Sequence, residues 1–161
     1  MGSSYTKFRG KGFWSIDTLL EVWLGTMCLN MVGDVHSPAW QHELRDSWLR
    51  ACASSPSGCV SASLDEFLID GERVSVILDV TERSIESLRA FGAYVPAPYM
   101  NTVSSALFDY DWPIEWVERI ADTFARLLRG ELTTDVSTAA PTLPQTRIGQ
   151  RNDELEQPRK A

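Results

Sequence analysis

The chain is short of the residues that most recognisable chemistries need. Its 161 residues include two histidines and three cysteines, so a Ser-His or Cys-His pair would have to recruit His36 or His42. No G-x-G-x-x-G or G-x-x-x-x-G-K-[ST] run offers a phosphate cradle, and no G-x-S-x-G presents a nucleophile. Cys28, Cys52 and Cys59 form no C-x-x-C pair, and an odd number of cysteines makes a poor disulfide framework, which points to a reducing cytoplasm. Positive charge is also scarce. Fifteen Lys and Arg face 22 Asp and Glu, a formal charge of −7, which argues against nucleic-acid binding because phosphate contacts need clustered cations. No cofactor is implied.

What is present is apolar and aromatic. Hydrophobic residues make up 43% of the chain and six are tryptophan, enough for one domain with a core built on large anchors. The most apolar stretch, Phe13 to Val32, reads as a buried helix. Ile16, Leu20, Trp23, Met27 and Met31 form one row and Leu19, Val22, Leu24, Cys28 and Leu29 a second. Ser15 or Asp17 can cap its start and Gly33 can end it. Lys7, Arg9 and Lys11 precede it as they would a signal or membrane segment. Asp17 and Glu21 lie inside the run, however, and a carboxylate in a spanning helix costs about 2.5 to 3.5 kcal/mol.

Further helices follow from spacing. Ser37-Pro38 opens one that runs to about Ala53, with Trp40, Leu44, Trp48 and Ala51/Cys52 on its inner side. Ser63 to Glu66 reads as a capping box opening a short helix through Ile69. The run after Gly71 fits a strand over 74 to 80 by alternation, but Val74, Leu78, Thr81, Ile85 and Leu88 continue a helical period to Gly92, so a helix is expected. Pro96 and Pro98 make 93 to 99 an irregular connector, with a short helix over Thr102 to Phe108. A last helix has Asp111 as its cap, Trp112-Pro113 at its entrance and Val117, Ile120, Phe124 and Leu128 as its apolar face, ending at Gly130. The expected fold is therefore all-α: a flexible start over 1–11, one domain of four to five helices over 12–130, and a disordered Thr-, Pro- and Gln-rich tail over 131–161.

Three local patterns carry possible function. Met1-Gly2-Ser3-Ser4-Tyr5-Thr6 fits the N-myristoylation pattern, with the nearby basic residues as a second membrane signal. His42 and Asp46 fall one helical turn apart, and Asp34 or His36 could add a ligand from the preceding turn; a solvated helix face explains the same residues without metal. The third pattern is acidic. Twelve acidic and four basic residues between Val60 and Asp122 give that segment a charge of −8. Asp111, Glu115, Glu118 and Asp122 fall in a stripe opposite the apolar face of the last helix, and Asp65, Glu66, Asp70 and Glu72 cluster around the Asp70-Gly71 break.

A small, acidic, tryptophan-rich and mostly helical chain of this kind resembles the immunity proteins of bacterial toxin–immunity pairs over residues 13 to 130. The resemblance implies a non-catalytic inhibitor that binds a basic protein, such as a toxin nuclease, with the two acidic clusters as partner-binding residues. The alternatives are a small enzyme using His36 and His42 with nearby carboxylates, or a membrane-associated protein acylated at Gly2.

Overall fold

The computed structural model of the protein describes residues 2–31 and 36–132. It is mixed rather than all-α: among the described residues, six helices are joined by two small antiparallel sheets of two strands each. The expectation of a purely helical domain preceded by a flexible start fails first at the N-terminus. There β1 (Ser3–Phe8) and β2 (Lys11–Ile16) form a hairpin in the register Ser3 to Ile16 through Phe8 to Lys11. The two-residue turn Arg9-Gly10 has positive φ at both positions, 49° and 78°. This mirror-image turn matches the twist of the strands, and Arg9 stands where Asn is usual. Left-handed backbone costs a side-chain-bearing residue about 1 kcal/mol. The Arg9 N–H donates to Asp65 Oδ1 at 2.7 Å, tying the turn to a segment 56 residues further along the chain.

The helix expected from Phe13 begins at Asp17. Phe13 and Ile16 are three apart, a spacing that fits a helical row, but both belong to β2 and are buried there. From Asp17 to Asn30, α1 is buried on nearly every side, as its two apolar rows require. Neither Ser15 nor Asp17 caps it through a side chain at the N-cap position, which is Ile16. Instead the Asp17 N–H donates to Gly2 O at 3.0 Å.

Around this centre pack α2 (Ala39–Ser54), α4 (Gly71–Arg89), α5 (Ala97–Val103) and α6 (Ile114–Leu128), with the single turn α3 (Leu64–Phe67) beside β1. Phe124 of α6 sits edge-on to both Trp23 of α1 and Trp48 of α2, with ring centroids 6.0 and 6.4 Å apart. Trp48, fully buried, donates its indole N–H to Ala62 O at 2.7 Å. Trp40, half-buried, lies beneath the Arg73 guanidinium, 5.0 Å from its ring. At Gly25 the backbones of α1 and α5 approach so closely that a Cβ would collide with the Val103 carbonyl. The ambiguous run at 74 to 80 is helical, within α4, which Asp70 caps by accepting from Arg73 N at 2.9 Å.

Three further helix starts differ from expectation. Ser63 adopts left-handed backbone and makes no capping bond, so the S-x-x-E pattern opens only the short α3, which ends at Phe67. The segment around Pro96 forms a helix at 97–103 rather than 102–108, because proline is tolerated in a first turn whose N–H groups have no intrahelical partner. The second sheet pairs β3 (Tyr94–Val95) with β4 (Trp112–Pro113). Pro113 favours an extended Trp112, which moves the start of α6 to Ile114 and leaves Asp111 outside it. No described helix is long and apolar enough to cross a membrane. The tail expected to be disordered lies, from Thr133 on, outside the described residues.

Candidate partner-binding surface

The acidic residues singled out from sequence separate into structural and solvent-facing groups. Asp111 does not cap α6. Its Oδ1 accepts from the backbone N–H of Ala97 at 2.9 Å, the first residue of α5, so it ties the residue before β4 to that helix. Asp65 is engaged by Arg9 N, and Asp70 by Arg73 N with the Arg73 guanidinium 3.9 Å away. Glu66 and Glu72 are exposed. Asp65 and Glu66 line an open depression of about 440 Å³ with Tyr5, Lys7 and Ser63. Each of these first-turn carboxylates also meets the positive end of a helix dipole.

Glu115, Glu118 and Asp122 do share one side of α6, where they line an open depression of about 630 Å³ with Arg119, Thr123 and Arg126. The side is not purely acidic. Arg119 and Arg126 interleave with the three carboxylates, and Arg89 reaches from α4 to place Nε 2.8 Å from Glu118 Oε1. The field above α6 is thus largely cancelled.

The more one-sided charge lies on α4, where Glu72 is the one acid that the sequence pattern singles out. Glu72, Asp79, Glu82 and Glu86 are all exposed and fall at i, i+7, i+10 and i+14, within one sector of the helix, with the exposed Arg83 at its edge, its Nε 3.5 Å from the Asp79 carbonyl oxygen. Val74, Ile77, Val80, Thr81, Ser84 and Leu88 face the core behind them. Of these four acids, Glu82 meets a cation among the described ion pairs, with Arg129 Nη2 at 3.7 Å. The pairs Arg89–Glu118 and Glu82–Arg129 show α4 and α6 lying antiparallel, so the ridge and the mixed stripe form adjoining parts of one face. The spacing was present in the sequence; what it lacked was the knowledge that this side of α4 points outward.

His36, His42, Glu43 and Asp46 are exposed. Among the described residues no three metal-ligating side chains converge; Asp34, the other ligand offered by the sequence, lies outside them. Cys28 and Cys52 are buried, and burial pushes both thiols up to about 12, opposed at Cys28 by Arg45. Such thiols are poor nucleophiles near neutral pH. Burial likewise raises Tyr99, whose hydroxyl pairs with Thr26 Oγ1 at 2.9 Å. Gly2 is packed against the Asp17 carboxylate, Ser57 and Gly58, where even a Cβ would collide.

Comparison with protein-family models, with curated proteins and with solved structures finds no match for this chain.

Proposed function

We propose that this protein is a non-catalytic binding protein that neutralises a basic protein partner, as the immunity protein of a toxin–immunity pair does. The observation that carries this reading is the α4 ridge, where Glu72, Asp79, Glu82 and Glu86 share one exposed sector, bordered by Arg83, and among the described residues one long ion pair, Glu82 to Arg129, touches it. Solvated carboxylates in such a row raise the local concentration of a cationic surface and speed its encounter. A nuclease fits this chemistry, since its substrate site must be basic to hold phosphate. The Glu115, Glu118 and Asp122 stripe extends the face but contributes less, because Arg119 and Arg126 share it.

The product of a neighbouring gene is the partner to test first. Co-expression should yield a complex whose association slows steeply as salt is added. Changing Asp79, Glu82 and Glu86 together to Lys should leave the helical spectrum intact and cut the on-rate about tenfold or more at low salt. The corresponding Lys triple at Glu115, Glu118 and Asp122 should have a smaller effect. Equal on-rates and salt slopes for wild type and the α4 variant would reduce the ridge to an ordinary solvated face.

A further inference from the structure

One carboxylate of α1 is largely shielded from solvent and, among the described residues, has no cation paired with it. Glu21, the fifth residue of α1, is 8% exposed. Its Oε2 accepts from Ser104 Oγ at 2.8 Å and from Ser105 Oγ at 3.0 Å. Among the described residues no lysine, arginine or histidine pairs with it. Hydroxyl donors satisfy its lone pairs but leave its charge in place, and the dipole of α1 acts mainly within the first turn, short of this position.

Directly over the two serines lies an open groove of about 280 Å³ between α2 and the end of α5. Its sides are the apolar groups of Leu49, Ala53 and Val103, with Ser104 and Ser105 among its polar lining. Leu49 is 40% exposed, a large apolar side chain left at the rim. Cys52, also in the lining, donates its thiol to the Glu21 backbone carbonyl, with Sγ 3.6 Å from that oxygen, fixing α2 against this turn of α1. The groove is therefore apolar along its walls and anionic beyond its hydroxyls.

We infer that the groove between α2 and α5 receives a lysine or arginine side chain of the basic protein partner. The aliphatic stem would lie along Leu49, Ala53 and Val103, and the charged head would meet the Ser104 and Ser105 hydroxyls, which link it to the Glu21 carboxylate behind them. Long cationic side chains divide in this way between apolar walls and a polar end. A cation held through hydroxyls to a buried carboxylate acts mainly on the dissociation rate, whereas the solvated α4 ridge acts on encounter. The inference rests on the reading of a basic protein partner and adds to it a second, spatially separate anchoring point.

The test needs no partner. ¹⁵N-labelled protein is titrated with N-acetyl-arginine-N-methylamide, N-acetyl-lysine-N-methylamide and the neutral N-acetyl-norleucine-N-methylamide. The cationic probes should shift the amides of Cys52, Val103, Ser104 and Ser105 saturably, and norleucine should not. Glu21→Gln keeps an acceptor for the serine hydroxyls but removes the charge, and should weaken the cationic probes about tenfold or more. Ala53→Leu, at an exposed wall position, should block the groove while leaving Glu21 in place. Absence of saturable shifts, shifts confined to α4, or unchanged affinity in Glu21→Gln would overturn the groove. If Glu21→Gln fails to fold, unchanged binding in Ala53→Leu overturns it instead. A salt-sensitive partner complex with an inert groove removes this inference alone. Binding of the cationic probes with no partner complex removes only the proposed function.

Discussion

Two sets of carboxylates, on α1 and on α4, show how position alone divides residues of one chemical type. Asp17 and Glu21 are buried on the central helix, and each is held by donors brought in from distant parts of the chain. For Asp17 these are Ser4 Oγ at 2.6 Å and the Gly58 N–H at 2.8 Å. The acids of the α4 ridge stand in water with few partners. The first set costs free energy to bury and returns it as order: through Asp17 the hairpin, α1 and the loop before α3 are fixed together, and Ser4 Oγ in turn accepts from Val60 N at 2.9 Å. The second set contributes little to folding and leaves its field available to another molecule.

The comparison breaks most readily at Asp17. Asp17→Ala leaves the buried Ser4 hydroxyl and the Gly58 N–H without their acceptor, and should cost about 2 kcal/mol, read as a lowered urea midpoint with an unchanged slope. A loss within the range of an ordinary surface substitution would mean that water replaces the carboxylate. Asp111 falls between the two sets, being exposed yet engaged by Ala97 N. Asp111→Ala should cost about 1 kcal/mol, as removal of a capping side chain does, without altering the on-rate for a basic partner. On α4 the neutral triple Asp79→Asn, Glu82→Gln, Glu86→Gln should change stability by no more than about 0.5 kcal/mol per site. A larger loss would give the ridge a structural role.

The thiols extend the contrast between buried and exposed groups. Cys28 and Cys52 are buried and shifted from 9.0 to about 12 by that burial, whereas Cys59 is exposed. At pH 8 a thiol reagent should label Cys59 rapidly and the other two only after unfolding. Because folding holds these thiols protonated, their contribution is complete below pH 9 and should be lost as pH rises from 9 towards 12, where the unfolded chain ionises first. Stability that stays flat across that interval in the wild type, compared with a Cys28→Ala, Cys52→Ala variant, would contradict this.

The helices were legible where one face is core and the other is water. In α2, Leu44, Trp48 and Cys52 are buried as their spacing indicates, and in α4 the helical period outlasts the short alternation at 74 to 80. The hairpin was not legible, because Phe13 and Ile16 satisfy a helical spacing as well as a strand and because Arg9-Gly10 is a rare choice for its turn. Asp111 was misplaced for a related reason: one proline decides whether Trp112 is extended, and with it where α6 begins. Among the candidate binding residues, Glu115, Glu118 and Asp122 share one side of α6, whereas Asp111 lies outside it, and Arg119 and Arg126 interleave with the three. The α4 ridge depends on which side of an amphipathic helix meets solvent, and the Glu21 groove depends on serines 83 and 84 residues away in sequence. Neither relation is local.

The cover over the first strand has a consequence for the order in which the chain assembles. Bonds from Arg9 to Asp65 and from Val60 to Ser4 each span 56 residues, and α3 completes the packing against β1. During synthesis the hairpin leaves the ribosome before the segment from Gly58 to Asp65, and until that segment has emerged one strand edge has no shield from it. A bare edge in that interval is a template for pairing with another nascent chain. Slowing translation between Phe8 and Asp65 should therefore raise the aggregated fraction, and slowing it beyond Asp65 should not.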